Sequence, residues 1–362
     1  MDNAKGYKAF KPGMICRDKQ YAENTDYEEV GGKICEKGMM HYCVNPFDVL
    51  NFYDLVDESG KFSDFAEVKA LDQPISGSDG KFATKKLHIG AKLSFAGFIK
   101  ACIDYTKEQT IVNMPKSDVA TGDSAKIGSS GYSAQIGSSG DHAKIGSSGD
   151  SAKIGSSGDS AKIGSSGDSA KIGSSGDSAK IGSSGDSAKI GSSGDYAKIG
   201  SSGDSAKIGS SGYSAQIGSS GDYAKIGSSG DYAKIGSSGG YAKIGSSGDS
   251  AKIGSSGYSA KIGSSGYSAK IGSSGGSAKI GSSGGSAQID STGVDSVICC
   301  AGHGCTVKAK IGSWITLAEW EYSEEKGRSV PRFVKTEYVD GEKIKPDTWY
   351  QLKNGEFVEV NR

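Results

Sequence analysis

Asp150-Ser151-Ala152-Lys153-Ile154-Gly155-Ser156-Ser157-Gly158 is one of nineteen copies of a nine-residue unit that run from Asp123 to Gly293. Ile fills one column at every step, from Ile127 through Ile136, Ile145, Ile208 and Ile280 to Ile289. Ala fills the column two residues earlier, starting at Ala125. The remaining columns drift: Ser becomes Tyr or His, Asp becomes Tyr or Gly, Lys becomes Gln.

Side chains two apart share one face of a strand. Ser-Ala-Lys-Ile therefore reads as a short strand with Ala and Ile turned inward and Ser and Lys outward. Gly-Ser-Ser-Gly reads as the turn, because glycine tolerates positive φ and close backbone approach. No proline interrupts the array, so every N–H is free to join a ladder. An α-helix is excluded, since nine residues make two and a half turns and successive Ile would fall on opposite sides. A flexible Gly/Ser linker has no reason to keep Ala and Ile in register nineteen times.

A single copy buries too little to offset the cost of ordering it, so stability belongs to a stack of copies. Nine residues are too few to encircle a core. Two copies per coil, about 18 residues, give roughly nine coils and a length of about 45 Å; three per coil is the alternative. With two per coil, Tyr223 and Tyr241 become neighbours on one side while Tyr232 lies on the other. Every copy that begins with Asp carries Lys three residues on, whereas Gln135, Gln216 and Gln288 occur in copies that begin with Tyr or Gly. Asp123 with Lys126, and Asp150 with Lys153, are thus expected to form outer-face pairs. Each is worth only about 0.2–1 kcal/mol but balances a lysine column.

The flanks have ordinary globular composition. Residues 1–116 read as a small α+β domain, with strands expected near 6–10, 14–17, 40–43, 65–71 and 84–93. A short helix is expected after Asn45-Pro46, and a second over 95–105, capped by Ser94. Residues 117–307 form the nonapeptide solenoid. Residues 308–362 read as a β-rich cap, in which Asn354-Gly355 marks a hairpin and Trp314, Trp320 and Trp349 supply a core. The fold class is mainly β: a parallel β-solenoid between a small α+β domain and a small β-rich cap.

Lysines and arginines equal aspartates and glutamates at 42 each, which gives no support for nucleic-acid or anionic-membrane binding. The first residues lack the apolar core of a signal peptide, and no run of apolar residues is long enough to span a membrane. Seven cysteines, none in the repeats, do not read as a disulfide framework. Cytosolic synthesis is expected, compatible with later incorporation into a virion or another assembly.

The layout resembles a family of uncharacterised proteins common in phages, prophages and gut Firmicutes. Cys35-Glu36-Lys37-Gly38-Met39-Met40-His41-Tyr42-Cys43, Phe65-Ala66-Glu67-Val68-Lys69-Ala70, the repeats and Gly312-Ser313-Trp314-Ile315-Thr316-Leu317-Ala318-Glu319-Trp320 carry that resemblance. It implies the order domain, solenoid, cap and a mobile-element context. The repeat is also similar to calcium-binding nonapeptide rolls and to the β-rolls of trimeric adhesin heads. A strand lysine argues against calcium, and no anchor supports adhesion.

Two places hold residue types suited to chemistry. The Gly38–Cys43 stretch and the helix after it are similar to a strand-then-helix step of ADP-ribosyltransferases, for which Arg17 and Glu67 are the candidate catalytic residues. Cys299, Cys300, His303 and Cys305 include zinc-ligand types, but adjacent cysteines on a strand face opposite ways; small buried residues of the last coils are the favoured reading. No cofactor is expected. The leading function is a rigid spacer or scaffold in a phage or prophage setting. An interaction module along the solenoid face, or a transferase-like N-terminal enzyme, are the alternatives. A protein or polymer partner is expected, without nucleic acid or membrane, and homo-oligomerisation stays open.

Overall fold

A computed structural model describes residues 4–31, 38–57, 60–77, 80–110, 117–120 and 122–361. The repeats stack as two parallel sheets, back to back, with two nonapeptides per coil and about 11 coils. Residues 18 apart pair directly: Ile154 lies beside Ile172 in one sheet, and Ile163 beside Ile181 in the other. The parallel stack is roughly 50 Å long at ~4.8 Å per coil.

The strand is Lys-Ile-Gly-Ser, as in Lys153–Ser156, and not Ser-Ala-Lys-Ile. The frame moves two residues towards the C-terminus but keeps its parity. Ala, Ile and the first Ser of Gly-Ser-Ser-Gly all point inward. Ala152 and Ile154 are buried, as are the Ile and Ala of nearly every copy; Ala125, in the first copy, is half-buried. Ser156, Ser165, Ser174 and Ser183 are buried too, and their hydroxyls have no hydrogen-bond partner. The turn is Gly-Asp-Ser-Ala, closed by an Ala N–H donating to the Gly carbonyl, as in Ala152 to Gly149 at 3.2 Å.

Among the described residues no repeat glycine has positive φ. The turn glycine is required by proximity instead. A Cβ on Gly158 would run into the carbonyl oxygen of Gly140, one coil earlier, and the same holds up the array. Tyr223 and Tyr241 stack at 5.4 Å with rings 8° from parallel, while Tyr232 meets Tyr213 on the other side.

The N-terminal domain is a seven-stranded antiparallel sheet. Its strands are β1 (Lys5–Phe10), β4 (Thr25–Glu28), β5 (Met40–Cys43), β6 (Asp64–Ala70), β7 (Ile75–Ser76), β8 (Lys81–Thr84) and β9 (Lys86–Leu93), in the order β4-β9-β6-β1-β5-β8-β7. A two-stranded ribbon, β2 (Ile15–Cys16) with β3 (Lys19–Gln20), follows β1. A 3-10 helix, Pro46–Asn51, opens with the Asn45 side chain accepting from the Phe47 N–H. Helix α1 runs over Phe95–Thr110, with Ser94 Oγ accepting from the Gly97 N–H. Phe98, Ile99, Cys102 and Ile103 are buried.

At the far end each solenoid sheet changes from parallel to antiparallel. Trp314–Ser323 begins parallel to Val297–Cys300 and then pairs with Arg328–Tyr338. Trp349–Lys353 pairs antiparallel with Thr306–Ala309 and with Glu356–Glu359. Asn354 and Gly355 both have positive φ, as a tight hairpin requires. The core here is Ile315, Leu317, Val339, Ile344, Tyr350 and Leu352. The tryptophans sit at its margin: Trp314 is exposed, and Trp320 donates to the Ala301 carbonyl at 2.9 Å.

Candidate functional site

The N-terminal domain does not sit on the tip of the solenoid. It lies lengthwise against one sheet, the docked face, and among the described residues none of the domain covers the other, the open face. The repeat dictates how it docks. Each strand turns Lys and Gly outward, so each face carries a glycine column beside a lysine column. On the docked face Ile103 lies over Gly164 and Gly182, Ile99 and Phe95 over Gly200, Phe95 and Phe62 over Gly218, and the Gly60 backbone against Gly254. A Cβ at Gly200, Gly218 or Gly254 would stand within 3 Å of the domain and push it away.

The lysine column beside it is used residue by residue. Lys162 pairs with Asp48 at 2.5 Å. Lys180 donates to the Phe47 carbonyl at 3.0 Å and to Asn51 Oδ1 at 2.7 Å. Lys198 donates to the Leu50 carbonyl, and Lys234 pairs with Asp54 at 2.6 Å. Burial lowers the Lys180 pKa to about 8, with the Lys162 charge adding to the effect. Burial pushes the Asp54 carboxyl upward, but hydrogen bonds from Lys234 and Gln216 outweigh it and leave the pKa below the ordinary value.

Gln216 replaces Lys where the domain presents a donor. Its Oε1 accepts from the Leu55 N–H at 2.8 Å, and its Nε2 donates to Asp54 Oδ1 at 2.8 Å. An ammonium has no acceptor to offer that N–H.

The open face has the same columns, and from Gly155 to Gly281 no described residue lies on them. Gly155, Gly173, Gly191, Gly209, Gly227, Gly245, Gly263 and Gly281 would each place a Cβ in open space. Lys153, Lys171, Lys189, Lys207, Lys225, Lys243, Lys261 and Lys279 are exposed. Together with Gln135 these columns line a groove of about 1360 Å³. Among the described residues no ion pair joins a repeat Asp to a repeat Lys, at Asp123 and Lys126 or at Asp150 and Lys153.

A second feature lies within the N-terminal domain. A cavity of about 230 Å³ is lined by Tyr7, Lys8, Cys16, Arg17, Tyr53, Lys81 and their neighbours. Lys8 is buried and donates to the His41 carbonyl at 2.8 Å; burial lowers its pKa. Tyr53 Oη donates to Cys16 Sγ at 2.8 Å, and burial raises the phenol's pKa.

Residues 4–101 match a domain of unknown function, DUF7666. The match begins just before β1 and ends inside α1, so it covers the sheet and the first part of the helix, with Phe95 and Ile99 but not Ile103. No curated protein and no solved structure matches the chain.

Of the residues singled out in the sequence, Arg17 reaches the DUF7666 cavity. Glu67, exposed on β6, is outside its lining, so the two are not gathered around it. Cys35 lies outside the described residues. Cys299 is exposed on one side of its strand; Cys300 and Cys305 are buried on the other. Among the described residues no three His, Cys, Asp or Glu side chains form a metal-holding group. No described helix is long and apolar enough to cross a membrane. Sequence reading missed Lys8 and Cys16. The available signal was a lysine sharing the inward parity of Phe10 on β1.

Proposed function

We propose that the chain is a structural scaffold: a straight β-solenoid that holds its DUF7666 domain along one side at fixed register. The observation that carries this is the seating of Phe62, Phe95, Ile99 and Ile103 over successive glycines of the docked face. The resemblance in layout extends the proposal to a phage or prophage setting, in which such a support would join a larger assembly.

Deleting one coil past Gly254, residues 258–275, tests the scaffold reading. Small-angle scattering should show a fold shortened by about 4.8 Å, with α1 amides as protected from exchange as before. Loss of the fold or release of the domain would overturn it.

A further inference from the structure

The two faces of the solenoid are made from the same repeat, and one of them already shows what this surface binds. On the docked face the ligand is a helix with an apolar ridge, accompanied by carboxylates and carbonyls that meet the lysines.

The fit has a geometric cause. One α-helical turn advances about 5.4 Å along its axis, close to the ~4.8 Å between stacked strands. Four residues advance about 6 Å, so residues four apart fall over successive coils on a helix inclined to the solenoid axis. Ile103, Ile99 and Phe95 do this over Gly164–Gly182, Gly182–Gly200 and Gly200–Gly218. A glycine floor lets the helix come close, and the lysine wall answers acidic groups along its flank.

The open face repeats this arrangement over eight consecutive glycines. None of them has positive φ, and none meets an atom that forbids a side chain. Glycine inside a strand destabilises relative to alanine, so the fold itself gains nothing from them. The lysines beside them have no carboxylate partner among the described residues.

We propose that the open face is a docking groove for an amphipathic α-helix of another protein, with Ile or Phe at four-residue spacing and Asp or Glu along its flank. From Gly155 to Gly281 the floor spans seven coil steps, about 34 Å, room for a helix of about 22 residues. A second copy of the chain is the weaker occupant. Two open faces would bring lysine against lysine, and the copy's own α1 is already in use. An extended polyanion would match the lysines but would have no use for a smooth floor.

The test uses the full-length protein and a fluorescent synthetic helix of about 22 residues, with an Ile ridge at four-residue spacing and a Glu flank. Anisotropy should report saturable binding that weakens with salt. Gly209→Val with Gly227→Val fills the floor without touching the DUF7666 domain and should reduce affinity about tenfold or more. Melting and α1 exchange protection should be retained. Lys207→Gln with Lys225→Gln should weaken binding and flatten its salt dependence.

Several results would overturn the proposal. One is no binding, which would make the open groove a by-product of repeat duplication. Another is binding indifferent to the valines. A third is equal binding of unstructured poly-glutamate of the same length. The last is self-association that the valines abolish, which would make a second copy the occupant.

Discussion

Gly218→Ala and its neighbours Gly209→Ala and Gly227→Ala form a matched set. All three change the same column of nearly identical repeats, and they differ in which face they lie on. At Gly218 the new Cβ would stand 2.7 Å from Phe95 Cζ and 2.8 Å from Phe62 Cε1. Ordinary carbon–carbon contact is about 3.5–4.0 Å, so both rings must retreat by most of an ångström. They are stacked on each other at 4.4 Å and retreat together or not at all. Overpacking of this kind costs about 1–3 kcal/mol. Replacing a strand glycine by alanine returns about 0.5–1 kcal/mol. That gain is the same whether or not the domain is docked, so the penalty on docking is the overpacking cost of about 1–3 kcal/mol, which should raise the undocked population roughly 5–150-fold. At Gly209 and Gly227 only the gain applies, and docking should be unchanged. Native-state hydrogen exchange of the α1 amides from Phe98 to Ile103 reads this directly. Equal acceleration by the open-face and docked-face changes, or none at Gly218, would refute the seating of the domain on the glycine column.

Three further outcomes are expected. Gln216→Lys should strand the Leu55 N–H and weaken docking by about 1–3 kcal/mol; Gln135→Lys, on the open face, should be neutral in the same exchange experiment. Lys180 has a docked pKa of about 8 against an ordinary 10.5. Below pH 8 its buried charge is penalised in full. Docking should therefore strengthen as pH rises from about 8 to about 10.5, by about 3 kcal/mol in the limit. Asp48, Lys162 and Lys198 face the same group, so the component to measure is the part of the pH slope that Lys180→Met removes. Ser183→Ala deletes a buried hydroxyl without a partner and should raise the melting temperature or leave it unchanged; a loss of about 1 kcal/mol or more would mean the hydroxyl is satisfied in solution.

The solenoid was legible because its signal is local and repeated. Ile at every ninth position fixed the parity of the inward face, and the expected placing of Tyr223 beside Tyr241 followed from two copies per coil; that their rings stack did not. The strand frame was misread because Ser183 and its equivalents are polar, and nothing in one copy says that a serine completes the inward row begun by Ala and Ile. The role of the turn glycine was half read. Close approach is the reason for Gly158, and positive φ is not. The docking of the DUF7666 domain was invisible for a different reason. Lys180 and Lys189 are identical in their repeats, and only the partner brought by the fold makes one buried and the other exposed. Gln216 was a visible trace of that partner, noticed in the sequence and assigned to charge balance. Lys8 and Cys16 meet across a chain reversal, which no short-range pattern reports.

Two copies per coil also constrain how the array can grow or shrink. A slip of one nonapeptide upstream of Gln216 would move every later unit to the opposite side. Gln216 would turn away from Asp54, and the C-terminal hairpins would meet the wrong sheets. A slip of two units adds or removes one storey and preserves sidedness. Length variants of such a chain that keep their terminal domains seated should therefore differ by even numbers of nonapeptides, a bias that can be counted in the gene pool without purifying any protein.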